Sequence, residues 1–244
     1  MKTLIYIFFF LSFANIGWAQ QKDTAFPVIN GKTSFGIKAG FTQSDLYGID
    51  KKALSANGQT TPLNGFHVAI TANSMIGKYI WLKHELYFTQ KGAGLTLSDS
   101  LNGNYKSVLK TYYLDLFPVN ITFHFKGFQI YAGPYVSVLT DAEIRKKDNA
   151  GNFYSDRSIF GGGNNFETKS KFLQKMDFGF NAGIEYEFNF GLNIGVKFVR
   201  GFAELIQYAN SHTFGDSKLS YDLHNTSLNI SLGYSLRAHK TPKK

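Results

Sequence analysis

From Asp177 to Arg200 the chain reads DFGFNAGIEYEFNFGLNIGVKFVR. Phe178, Phe180, Ala182, Ile184, Tyr186 and Phe188 fall on one parity, and Asp177, Gly179, Asn181, Gly183, Glu185, Glu187 and Asn189 on the other. A period of two with one oily and one polar or small face is a β-strand, not a helix. After the turn signal Asn189-Phe190-Gly191 the alternation resumes, with Leu192, Ile194, Val196 and Phe198 set against Asn193, Gly195 and Lys197. Two arms of roughly ten residues make a β-hairpin long enough to cross a bilayer at a tilt. The rest of the chain repeats this unit.

Similar alternation predicts strands over 33–43, 64–73, 79–91, 109–125, 128–140 and from about 224 to 236. With the two arms above, the count is eight. Their connections alternate long and short, with long loops over 44–63, 92–107, 141–171 and 203–223 and short turns at 74–78, 126–127 and 189–191. An even number of strands, short turns at one end and long loops at the other predict an all-β fold: an eight-stranded antiparallel transmembrane β-barrel of up-and-down meander topology. Unpaired backbone cannot face lipid, so such a sheet must close. In the strand over 109–125 the oily parity slips between Leu116 and Val119, and Pro118 sits at the slip. Proline cannot donate to a ladder, so a β-bulge is expected there.

Alternation alone does not say which face lies inside, and a soluble calycin-like binding barrel would turn the oily face inward. Glycine decides. Gly36, Gly40, Gly133, Gly179, Gly183, Gly195 and Gly233 all share the polar parity. An eight-stranded barrel is only wide enough for side chains to fill, so small residues are needed on the inner face. That places Lys38, Lys83 and Lys197 inside with Glu85, Asp115, Glu185 and Glu187, a lumen charge network expected to neutralise itself and to serve structure. Tyr79, Trp81, Phe123, Phe125, Phe128, Tyr186, Phe188 and Phe190 lie near the short turns, and an interfacial aromatic girdle is expected from among them.

Four segments follow. Residues 1–19 read as a signal peptide: Lys2 supplies the positive n-region, Leu4–Phe13 the apolar core, and Gly17-Trp18-Ala19 a small-residue cleavage site. Residues 20–32 form a polar lead-in, 33–236 the barrel and 237–244 a basic tail. The chain has no cysteine, which excludes disulfide and thiolate chemistry. The net charge of +9 is spread over many segments and mixed with acids. No nucleic-acid motif accompanies it, so it is assigned to loops and tail beside anionic lipid head groups.

Several motifs, in order, resemble the PorT-like outer-membrane β-barrel family of Bacteroidota. They are Gly36-Ile37-Lys38-Ala39-Gly40 with Ser44-Asp45-Leu46, Glu85-Leu86-Tyr87 with Lys91-Gly92, and Tyr113-Leu114-Asp115-Leu116 with Pro118. Ala132-Gly133-Pro134-Tyr135, Asp177-Phe178-Gly179 with Gly183-Ile184-Glu185, and Gly233-Tyr234 complete the set. Asp115 stands where the family usually has Glu, Phe117 adds a residue before Pro118, and the chain runs on past Leu236 instead of ending on an aromatic residue. The resemblance implies an integral outer-membrane protein. The secretion role of the name-giving member is not carried by these residues.

No phosphate loop, dinucleotide fingerprint, nucleophile elbow or zinc-protease motif occurs. The histidines (His67, His84, His124, His212, His224 and His239) show no metal-ligand spacing. No catalytic, metal or cofactor site is therefore expected. Glu185 and Glu187 have the spacing of a paired-carboxylate site, but charged lumens are normal in such barrels. An alternative is a lipid-modifying enzyme using Ser211, His212, Asp216 and Ser217 in the fourth long loop. The leading expectation is a monomeric, non-enzymatic outer-membrane barrel with a plugged lumen. Its partners would be membrane lipids and a protein or surface ligand met through the long loops.

Overall fold

A computed structural model of the protein describes residues 33–157, 173–206 and 221–236. The expected signal peptide, lead-in and tail lie outside the described residues, as do Ser211, His212, Asp216 and Ser217. The elements are β1 (Thr33–Tyr47), a 3₁₀ turn (Lys51–Ala53), β2 (Thr61–Met75), β3 (Ile80–Asp99), β4 (Gly103–Phe125), β5 (Phe128–Lys147), β6 (Phe153–Asp156), β7 (Met176–Glu187), β8 (Leu192–Gly201) and β9 (His224–Leu236). Each of β1 to β5 pairs antiparallel with the next, β5 with β7, β7 with β8, β8 with β9, and β9 with β1. Eight strands thus close a ring without a free edge. The short β6 stands outside it, paired only with Ile144–Lys147 of β5.

The oily parity faces outward. Ile37 and Phe41 of β1 are 61% and 75% exposed, whereas Lys38 and Thr42 beside them are buried. On β4 the outward apolar set runs from Leu114 to Phe125, enough at ordinary tilt to cover the roughly 25 Å apolar band of a membrane barrel. At the turn end Tyr79, Phe123, Phe125, Phe128, Phe188 and Phe190 are exposed, and their rings contact one another through Tyr79–Phe123 and Phe188–Phe190 stacks. Trp81 departs from this girdle: its parity is that of Lys83, and it stacks on His124, 4.6 Å away. The tightest turn, Lys126-Gly127, has φ of 48° and 89°, the mirror-image geometry whose twist suits a two-residue hairpin.

Inside, glycine and tyrosine alternate across strands. Tyr131 of β5 pairs with Gly183 of β7, and Tyr135 with Gly179. A Cβ on Gly183 would stand 2.5 Å from the Tyr131 ring, so the phenol lies where only hydrogen leaves room.

The slip in β4 is a bulge. Lys83 pairs with Asn120 but Glu85 with Phe117, and the register toward β5 shifts over the same residues. Asp115 and Phe117 are buried before it, Asn120 and Thr122 after it. A second shift, unforeseen, inserts Thr140 of β5 between the partners of Tyr112 and Tyr113.

The loop expected over 92–107 is overturned. β3 and β4 stay paired to Asp99 and Gly103. Gly92 and Gly94 look like turn residues in the sequence. In the fold a Cβ on Gly92 would come within 1.9 Å of the Leu109 carbonyl oxygen, so close backbone approach demands that glycine. Likewise β1 runs to Tyr47, β2 begins at Thr61, and β5 continues to Lys147 before returning as β6. The 23 residues of β4 are about twice what a bilayer needs. The excess projects beyond the apolar band.

In that projection the polarity inverts. Leu46, Leu95, Leu109, Leu139, Ala142 and Ile144 point inward and pack with Leu54, Leu173, Leu205, Ile206 and Leu223. The outward parity now carries Lys106, Lys110, Glu143 and Arg145. A sheet surrounded by water must bury its apolar face, and one surrounded by lipid must not.

Candidate functional site

Below the apolar cluster the lumen is ionic, because strand parity aims Lys38 (β1), Lys83 and Glu85 (β3), Glu185 (β7) and Lys197 (β8) at the barrel axis. Lys38 Nζ donates to Glu85 Oε1 at 3.0 Å and also to Glu185. Lys83 Nζ donates to Glu185 Oε2 at 3.1 Å, and Lys197 to Glu85. No side chain of the five is more than 4% exposed. The Lys197–Glu85 pair joins β8 to β3, strands diametrically opposite in the ring, so the network crosses the lumen instead of lining one wall.

Neighbours complete the packing. Glu85 also accepts from Asn120 Nδ2 at 3.1 Å and from the Tyr87 hydroxyl at 3.3 Å. Lys197 Nζ stands 4.1 Å from the Tyr87 ring centroid and 3.9 Å from that of Phe117, and Lys83 Nζ 4.4 Å from that of Tyr131. These aromatic faces stabilise the ammonium groups where carboxylates do not reach. His67 is buried between the Thr42 hydroxyl (3.0 Å) and the Ser231 hydroxyl (2.8 Å).

A second tier lies toward the loop end. Lys91 Nζ donates to Asp115 Oδ1 at 2.9 Å, and Ser137 donates to the same carboxylate. Tyr135 donates to Asp177 Oδ2 at 2.9 Å, and Asn225 Nδ2 reaches that oxygen at 3.4 Å. The lower tier holds three cations and two anions, and Lys91 with Asp115 and Asp177 supplies the opposite excess, so the two tiers balance.

Of the seven residues expected to form the network, Lys38, Lys83, Glu85, Glu185 and Lys197 meet directly, and Asp115 belongs to the second tier. Glu187 lies nearer the turn end and accepts from Gln129 Nε2 at 3.0 Å. Glu185 and Glu187 therefore face different partners and do not form a paired-carboxylate site. Lys91 and Asp177 were missed. Lys91 shares the parity of Lys83 and Glu85, a visible signal masked by the loop assigned from residue 92 onward. Among the described residues no cluster of three or more His, Cys, Asp or Glu could hold a metal ion. The described histidines are dispersed: His84 contacts the Pro118 carbonyl oxygen, and His224 bonds Asp222 and the Ala203 carbonyl oxygen.

A closed ring with an apolar belt outside and paired charges inside defines a transmembrane β-barrel. Residues 18–207 match the family model described as outer membrane protein beta-barrel domain; the chain belongs to that family and is an outer-membrane barrel protein. Similar solved structures include Neisserial surface protein A, at 11% identity over 84% of this chain and 99% of that one, with a TM-score of 0.47. Ail, the attachment invasion locus protein of Yersinia pestis, is 13% identical over 84% of this chain and 99% of its own, with a TM-score of 0.43. OprG of Pseudomonas aeruginosa is 14% identical over 85% and 98%, with a TM-score of 0.38. No functionally curated protein matches the chain.

Proposed function

We propose that this protein is a non-enzymatic outer-membrane barrel whose lumen is plugged by its own side chains and whose partners are met at the loop end. The observation that carries the reading is the Lys38–Glu85–Lys197 and Lys38–Glu185–Lys83 network. It spans opposite walls with every member buried, and eight strands leave no lumen wider than side chains can fill. In the same reading the termini and short turns face the periplasm, residues 1–19 are removed on export, and the barrel is a monomer. Its closer placement among the PorT-like barrels of Bacteroidota rests on the motifs from Gly36 to Tyr234. The apolar belt supplies the lipid contact, and the projecting hairpins supply a rigid platform outside the membrane.

The test is conductance. Purified protein in a planar bilayer at moderate salt is expected to show no steady unit conductance above the lipid baseline. Steady unitary steps that vanish when a strand is deleted would make the protein a small channel.

A further inference from the structure

At the loop end a cavity of about 390 Å³ opens between the β3–β4 tip, the end of β5 and the 3₁₀ turn. Its floor is apolar. Leu54 and Ile144 there are buried members of the upper cluster, with Ala53 and Leu97 packed against it. Tyr105 forms one wall, and Asn102, Lys146 and Lys147 stand among the polar lining residues.

The walls are fixed in place by bonds of their own. Asp99 accepts from the backbone N–H groups of Leu101 (3.0 Å) and Asn102 (2.6 Å) and from Asn102 Nδ2 (3.1 Å). The same amide donates to the Asp148 carbonyl oxygen at 3.1 Å, tying the β3–β4 tip to the β5–β6 turn. On the other side Ala56 N–H donates to the Thr96 carbonyl oxygen at 2.7 Å, and Thr96 N–H to the Ser55 hydroxyl at 3.0 Å. A cavity with walls held this way exists before any ligand arrives, which lowers the ordering cost of binding.

Its lining carries two lysines, Lys146 and Lys147, against one aspartate, Asp99. Lys146 is paired with Asp156 at 2.6 Å. Asp99 is an anion, but the N–H donors of its own turn surround its carboxylate and hold its pKa below the usual value, the backbone N–H of Asn102 foremost. Lys147 has no carboxylate partner among the described residues. Its Nζ stands 5.5 Å from the Tyr105 ring centroid and 5.2 Å from that of Phe153, and rings position a cation without cancelling its charge.

We propose that this cavity binds a small amphipathic anion. A compact apolar or aromatic body rests against Ala53, Leu97 and Leu101, and a carboxylate, sulfonate or phosphate head is held by Lys147. The volume falls in the range of small-molecule sites, and the accessible lining is more polar than apolar. The inference goes beyond the plugged-barrel reading and does not depend on it: a conducting lumen would leave this cavity unchanged, and an empty cavity would leave the lumen plugged.

The experiment is calorimetric titration of the intact barrel in zwitterionic lipid nanodiscs, with empty nanodiscs as control. Naphthalene-2-sulfonate serves as probe and 2-naphthol as its neutral analogue. Saturable one-to-one binding of the sulfonate is expected, at least tenfold tighter than 2-naphthol. Lys147→Gln should weaken the sulfonate at least tenfold and leave 2-naphthol unaffected, and Lys147→Arg should retain it; a heat-modifiability gel confirms that each variant is folded. Sulfonate heat no greater than with empty nanodiscs overturns the proposal. So does equal affinity for the two probes in the parent protein, a comparison that needs no variant. Undiminished sulfonate binding by folded Lys147→Gln would place the anion elsewhere and equally refute it.

Discussion

Glu85 is the residue on which the lumen turns. One carboxylate receives Lys38, Lys197, Asn120 and Tyr87, so it supplies counter-charge for two buried ammonium groups. Burying two or more charges gains little net stability over an apolar filling, because desolvation offsets most of the attraction. Removing one partner is different, since the others stay buried and uncompensated. Glu85→Gln is expected to destabilise the folded barrel by about 3–5 kcal/mol, read as a lower urea midpoint for unfolding from lipid vesicles. Adding Lys197→Met should recover part of the loss. An unchanged midpoint for Glu85→Gln would mean that water, not Glu85, screens these lysines. Gly183 shows the complementary constraint: its missing side chain is what admits Tyr131 beneath the Lys83 ammonium.

At the scale of the strand, what matters is which medium each parity meets. Ile194 of β8 and Leu232 of β9 are directly opposite one another and both point outward. They sit within the apolar belt, where a charge has no counter-ion and no water. Ile194→Arg or Leu232→Arg should each cost about 2–4 kcal/mol near the bilayer midplane, measured by the same unfolding assay and by the yield of folded, heat-modifiable barrel. Two variants that insert and fold as well as the parent would show that this face does not meet lipid. The same reasoning explains β3. Its odd residues are polar and inward from Lys83 to Lys91, then apolar and still inward at Ala93 and Leu95. Pairing with β4 stays in register from Glu85 through Leu95, and the extra residue opposite Thr89–Ala93 lies on β2, between Pro62 and His67. The medium outside changes from lipid to water, and the required polarity of each face changes with it.

For the molecule as a whole, closure and length decide the layout. Eight strands return the chain to its starting end, so Thr33 and Leu236 lie beside the turns at 76–79, 126–127 and 188–191, while the long strand extensions stand at the other. On the proposed orientation, with the turns in the periplasm, epitope tags inserted at Asn57 or Gly103 should be labelled on intact cells, and a tag at Gly127 only after the outer membrane is opened. Labelling at Gly127 but not at the other two sites would reverse the orientation. Positions in the third and fourth long loops, such as Gly162 and Asn210, lie outside the described residues.

Period-two alternation with glycine on the polar parity was enough, from the sequence alone, to specify the eight strands of the ring and the outward face, but not β6 or the places of Lys91 and Asp177 among the inward charges. It could do so because a strand in lipid has only two environments, and every residue declares one. The bulge at Phe117-Pro118 was legible for the same reason, since a one-residue insertion flips parity. What the tertiary structure decided is which charges meet. Lys38 with Glu85 and Lys197 with Glu85 join residues far apart in the chain, through a lumen whose register depends on the bulges and on closure. Only the structure could also separate a loop from a strand leaving the membrane. Gly92 and the apolar inward Ala93 and Leu95 read as a break in the pattern, and they continue the β3–β4 ladder once the medium around them is known to be water, with Gly92 supplying a φ of 139°.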